Sequence, residues 1–366
     1  MRVLTTMVLL ALACGCASRR GDYVTGADIS WITQMEREGK PMCDVAGNPR
    51  DCFELMRDYG LSGIRLRVWV DPHEHGGWCD ANDLLVKAKR AQTAGHDIMV
   101  DFHYSDWWAD PGKQKTPASW IGLERDKVVE ALAKHTEDVL LLLKRNGVRV
   151  RWVQVGNETS HGMLWSPKRD KQGRNIWRKI APHIVVPEME DDAIADLYEH
   201  PDVYAACFAA GYDAVKRVYP EAVVIVHHAD GCNIPAVDYN LEALARYGAR
   251  WDMVGISLYP YHQKHRNKDG QKTIDECVET LRHVAERWNC DTMVVETGFE
   301  CIPEKYEEGR SRLAQVIRRT LEQPRCRGVF YWEPQCNAAD HYKLGAFDDK
   351  GRPTPIMDGF LEKNRH

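Results

Sequence analysis

The 366-residue sequence holds 12 cysteines, but no two stand at CxxC spacing. That argues against a structural zinc site. No glycine-rich phosphate loop follows the first strand-like run, because Gly26-Ala27-Asp28-Ile29-Ser30 is not one. This disfavours a dinucleotide-binding open sheet. No linker rich in Pro, Gly or Ser divides the chain. No basic face stands out, and the net charge is −5 with a pI near 6.3, so nucleic acid is not an expected partner. Beyond the N-terminus no apolar run is long enough to cross a bilayer. What is abundant is aromatic: 12 Trp and 14 Tyr, whose flat faces fill cores or stack on sugar rings.

The N-terminus has the pattern of a targeting segment. Arg2 supplies a minimal positive region, Val8 to Ala13 an apolar core, and Ala13-Cys14-Gly15-Cys16 a small-residue site. The pattern resembles a bacterial lipoprotein signal with Cys16 as the lipidated residue and Cys14 second. An ordinary cleaved signal peptide is the alternative. Residues 1–16 are therefore expected to be a leader, 17–22 a tether and 23–366 the folded domain. The protein would leave the cytoplasm and sit at the cell surface or face the periplasm, held to the membrane by its lipid. In such a compartment disulfides are permitted, and Cys43 and Cys52 bracket a turn across which they could pair.

Short apolar runs alternate with helical patterns to the C-terminus. Strands are expected at Tyr23–Ser30, Gly63–Trp69, Asp97–His103, Val150–Gly156, Ala222–Ala229, Asp252–Leu258, Thr292–Glu296 and Gly328–Trp332. Continuous apolar runs suit parallel strands buried on both faces. Helices are expected at Asn82–Ala94, Val128–Asn146, Pro201–Val218, Leu241–Tyr247, Asp275–Trp288 and Gly309–Glu322. Gly60, Gly95, Gly147 and Gly248 sit where helices should stop. Eight such units make an α/β chain with a single (β/α)8 TIM barrel. The charged stretch Trp165–Asp196 is the longest irregular insertion. It follows the fourth strand and belongs on the barrel's functional face.

In a barrel, strand C-termini point into one mouth. Here they carry Asp28, Arg65 or Arg67, His103, Asn157-Glu158, His227 or His228, Tyr259, Glu296 and Trp332. Two glutamates at the tips of the fourth and seventh strands suit an acid and a nucleophile on opposite sides of one bond. Glu158 is expected to be the acid/base, protonated because burial near a second carboxylate raises its pKa. Glu296 is expected to be the nucleophile, kept ionised by Arg65. A barrel-mouth ion pair is the structural alternative for each. Asn157, His103 and Tyr259 are expected to support them. Asp28, Asp106, His228 and the rings of Trp69, Trp107, Trp120, Trp165 and Trp332 are candidate sugar contacts. Only one of the adjacent His227 and His228 can face the interior. No metal or other cofactor is expected, since the Asp101–Asp110 stretch lacks the paired-His spacing of a catalytic zinc site.

The longer strings Arg65-Leu66-Arg67-Val68-Trp69-Val70-Asp71-Pro72, Asp101-Phe102-His103-Tyr104-Ser105-Asp106, Trp108-Ala109-Asp110-Pro111-Gly112-Lys113-Gln114, Gln154-Val155-Gly156-Asn157-Glu158, Gly162-Met163-Leu164-Trp165 and Tyr331-Trp332-Glu333-Pro334 carry a resemblance. The chain resembles the endo-β-1,4-galactanases of glycoside hydrolase family 53 from about Gly26 to Asp348. The resemblance implies retaining hydrolysis of internal β-1,4-galactosyl bonds in pectic galactan or type I arabinogalactan. It places the acid/base on Glu158 and the nucleophile on Glu296, with the carboxyls about 5 to 5.5 Å apart. A monomer without a calcium site is expected. The chain departs from the family pattern at Ser166-Pro167-Lys168-Arg169, at Cys336 and in its longer insertion, all bordering the groove. An exo-acting glycosidase of shifted specificity and a non-catalytic glycan-binding barrel are the alternatives.

Overall fold

The computed structural model describes residues 23–182, 184–263, 269–340 and 342–364. The expected leader and Cys16 lie outside these residues. Eight parallel strands close into one barrel: β1 (Val24–Asp28), β2 (Gly63–Val68), β3 (Asp97–Phe102), β4 (Val150–Val155), β5 (Val223–His228), β6 (Met253–Leu258), β7 (Asp291–Thr297) and β8 (Cys326–Trp332). Each pairs with its sequence neighbours, and β1 closes on β8. All eight expected strands are found within about two residues of their expected ends.

The outer layer contains α1 (Cys52–Asp58), α2 (Ala81–Thr93), α3 (Arg125–Arg145), α4 (Pro201–Val218), α5 (Ile234–Arg246), α6 (Gly270–Trp288) and α7 (Tyr306–Leu321). Side-chain caps fix several starts: Asp51 for α1, Asp80 for α2, Asn233 for α5 and Asp269 for α6. α5 begins seven residues before its expected start, because Asn233 caps it and Pro235 occupies its first turn. The seven-residue α1 was not expected, being too short to display a helical period. Gly60, Gly95, Gly147 and Gly248 all adopt the left-handed conformation past helix ends.

Alternation along the strands sorts two cores. Outward residues such as Ile64, Leu66, Val100, Val153, Val224 and Val226 pack under the helices. Inward residues Val24, Met99, Trp152, Ile225, Met253, Met293, Val295 and Phe330 fill the barrel. Above this apolar plug, nearer the strand C-termini, inward positions turn polar: Asp28, Arg65, Arg67, Asp101, Gln154, His227 and Ser257, all buried.

Two expectations need correction. Cys43 and Cys52 are not paired, and both are free thiols. Cys52 opens α1 and turns into the core, while the Cys43 backbone is tied to Pro49 and Gly351. The insertion after β4 is not irregular. It holds an antiparallel hairpin, Trp177–Ala181 with Ile184–Pro187, and a short ladder of Gly162–Met163 with Ala195–Asp196. Among the described residues no helix is long and apolar enough to cross a membrane.

Candidate active site

Glu158 and Glu296 line one cavity of about 490 Å³ at the C-terminal mouth of the barrel, with Asn157, His103, Ser257, Tyr259 and Trp332. Glu158 reaches it through a tight turn. Gly156 has φ +91°, and a Cβ there would meet Thr159 at 2.5 Å. Glu158 itself has φ +48°, a conformation that costs a non-glycine residue about 1–3 kcal/mol. The turn aims its carboxyl across to β6, where Ser257 Oγ donates to Oε1 at 2.7 Å.

Glu296 reaches the cavity by a register break. Inward positions on β7 are Met293 and Val295, so strict alternation would send Glu296 outward. Between Ile256 and Ser257 the β6–β7 pairing slips by one residue, and Ser257 comes to lie beside Glu296. Ser257 thus touches one carboxyl and neighbours the other.

The two environments differ. Glu296 Oε1 forms an ion pair with Arg65 at 2.8 Å, and Oε2 accepts from the Tyr259 hydroxyl at 2.9 Å. Burial raises its pKa to about 7, with the Arg65 cation and Tyr259 opposing a larger rise. Among the described residues no cation contacts the Glu158 carboxyl. Burial first, then the charge of Glu296, push its pKa well above the carboxylate range. The last proton held by the pair therefore belongs on Glu158.

Arg65 is the hub. Burial alone would disfavour its charge, but Asp101, Glu296 and Asp28 more than offset that. Its guanidinium donates to Asp28 at 2.8 Å, Gln154 at 2.6 Å and Asn157 at 2.8 Å, and forms ion pairs with Asp101 at 2.9 Å and with Glu296. His103 gives Nε2–H to Asp101 at 2.9 Å and takes the Ala109 N–H on Nδ1, which fixes a neutral ring. His227 is the inward histidine, two residues past inward Ile225. Its Nδ1 accepts from Gln154 and from the Glu158 N–H, leaving Nε2–H for Ser257 Oγ at 2.9 Å. A neutral His227–Ser257–Glu158 chain results, because burial and Arg65 hold the imidazole well below its usual pKa.

Several candidate sugar contacts fall elsewhere. Asp28 is fully buried and is spent on Arg65 and Ser30. Trp69, Trp120 and Trp165 are core residues, at most 5% exposed. Trp107 stacks on His75 at 4.0 Å and tilts against Trp69. Asp106 accepts from the Asp71 and Ala118 N–H groups and so staples two loops. His228 faces a neighbouring cavity. Of the tryptophans proposed for stacking, Trp332 lines the catalytic cavity, joined there by Trp108 and Tyr342. Arg67 lies 4.1 Å over the Trp108 ring and pairs with buried Glu333, bracing that wall.

Gln154, Asp101 and Ser257 were missed as site residues. Counting back by two from the strand tips would have found them. Nothing local marks Tyr342, ten residues past β8.

The fold and the carboxylate pair define a barrel glycoside hydrolase. Residues 24–352 match the profile of glycosyl hydrolase family 53. The "Uncharacterized protein in bgaB 5'region" of Niallia circulans is 30% identical over 85% of this chain and 83% of its own length. The "Endo-beta-1,4-galactanase" of Bacillus subtilis is 26% identical over 86% of this chain and 70% of its own. The Ignisphaera aggregans GH53 catalytic domain superposes with a TM-score of 0.77 at 24% identity, over 98% of this chain and 99% of that one. The chain belongs to glycosyl hydrolase family 53.

Proposed function

We propose that this chain is a retaining endo-β-1,4-galactanase acting on pectic galactan or type I arabinogalactan. The observation that carries it is the unequal pair: one buried glutamate held by Arg65 and Tyr259, the other, among the described residues, by Ser257. Glu158 donates its proton to the glycosidic oxygen as the bond breaks. Glu296 attacks the anomeric carbon from the opposite face and forms a covalent glycosyl-enzyme. Ionised Glu158 then takes a proton from water, which attacks the same carbon and frees Glu296. Two inversions give net retention.

The substrate assignment is supported by relatives such as the Bacillus subtilis galactanase. Internal cleavage is supported by the same relatives, and room for a leaving chain by the shape of the site. Pro111, Ala229 and His262 line both the catalytic cavity and its neighbour, so space continues past the pair. Product analysis on linear β-1,4-galactan provides the test. Wild type should release a ladder of oligosaccharides and Glu296→Ala none. Galactose as the only product would support exo cleavage. Binding without turnover by both proteins would leave a glycan-binding barrel.

The proposal includes export. The leader pattern through Cys16, followed by a domain from residue 23, supports a lipid-anchored enzyme outside the cytoplasm. Mass spectrometry of the mature N-terminus should find a diacylglyceryl group on Cys16. An unmodified N-terminus at another residue would sink the anchor.

A further inference from the structure

We propose that the cavity beyond the catalytic pair binds the leaving portion of the galactan chain, with His228 as its buried donor and Trp177 as its wall. The inference rests on the galactanase reading and extends it by placing the leaving-group side of the substrate.

The cavity measures about 830 Å³, within the range of ligand sites. Its place relative to the pair decides what it holds. An acid that protonates the departing oxygen stands on the side of the departing chain. Glu158 is that acid, and the cavity is built on its side, from Ser160 and His161 after β4 and from His228 and Ala229 at the end of β5. Trp108, Trp332 and Tyr342, which line the catalytic cavity with Glu296, are left for the sugar under attack.

His228 is the polar anchor. It is 4% exposed, and its Nδ1 accepts the Asp230 N–H at 3.2 Å. In the neutral ring the proton therefore sits on Nε2. Burial holds the pKa down to about 4, so the ring is neutral near pH 7. Nε2 is buried and closes no hydrogen bond of good geometry, the Ala236 backbone being at most a weak partner for the ring. A donor in that state calls for an acceptor, and a sugar hydroxyl or ring oxygen supplies one.

The aromatic wall comes from the insertion. Trp177 opens the hairpin and is 46% exposed. Its ring lies 6.2 Å from His161, whose Nδ1 meets the Tyr198 hydroxyl, and Tyr198 packs 6.1 Å from Tyr239. Exposed aromatic faces over a polar floor suit the apolar face of a pyranose. The segment leading into the hairpin is held in place at two points. Asn175 donates to the Gly112 carbonyl at 2.6 Å, and Trp165 is buried and backbone-paired with Gln114.

Scission of β-1,4-galactohexaose labelled at its reducing end tests this. In Trp177→Ala the cut should move toward the label, giving shorter labelled fragments. KM should rise about three- to tenfold, the worth of one aromatic contact. Tyr239→Ala, also at an exposed position, should shift the pattern the same way and decides the matter if Trp177→Ala misfolds. An unchanged fragment pattern and KM in both folded variants, beside an active wild type, would overturn the site. A wild type inactive on every β-1,4-galactan would remove the galactanase reading and the site with it.

Discussion

Glu296→Ala is expected to lose about 10⁴-fold or more in turnover, and azide should restore part of it while forming an α-galactosyl azide. The small anion enters the space vacated by the carboxylate and attacks once, so configuration inverts. Glu158→Ala should behave differently. Its loss, about 10²–10⁴-fold on galactan, should nearly vanish on aryl galactosides whose phenol leaves without protonation. Azide should then intercept the intact glycosyl-enzyme and give the β-azide, with configuration retained. The two products read the roles directly. A β-azide from Glu296→Ala would reverse the assignment.

Arg65→Met is expected to cost about 3–5 kcal/mol of stability and to silence the enzyme at neutral pH. Arg65 is fully buried and pairs with Asp28, Asp101 and Glu296. Removing it leaves three carboxylates in the barrel without their cation. The pH signs follow. Burial already raises the Glu296 pKa to about 7 with Arg65 in place. Without the cation it rises further, so at pH 7 the nucleophile is protonated. In wild type, kcat/KM should fall on the acid side as Glu296 gains its proton and on the alkaline side as Glu158 loses its own. In Arg65→Met the acid limb moves upward into the alkaline one, and little active form remains. The stability deficit should shrink on acidification, because a carboxyl whose folded pKa is raised destabilises only while ionised. Arg65→Lys keeps the charge but cannot span Asp28, Gln154, Asn157 and Glu296 with one fork, and should recover stability more than activity. Urea unfolding at two pH values and a pH–rate profile check these points. A deficit that grows on acidification would refute the account.

Much of the site was legible because barrels translate sequence into position. A short apolar run followed by a polar residue places that residue at the mouth, and Glu158, Glu296, Asn157, His103 and Tyr259 are gathered there. The tryptophans were not legible in this way. Trp69 and Trp332 both end strands, yet Trp69 is covered by Trp107 while Trp332 remains open to the cavity. Burial of a ring depends on what packs over it, and those partners come from loops far off in sequence. Asp28 likewise reads as a rim residue until Arg65, 37 positions away, claims its carboxylate.

The sequence by itself determined the eight strands, the closed barrel and the two glutamates at the tips of β4 and β7. Those follow from local hydrophobic runs and from one strand-to-mouth rule. Tertiary structure decided what each glutamate is. The β6–β7 register slip turns Glu296 inward against its own alternation, and Arg65 from β2 meets it there. A left-handed residue turns Glu158 toward Ser257, leaving the Arg65 contact to Glu296. The charge state of a buried carboxyl is set by groups within a few ångströms, and only the closed barrel brings them together.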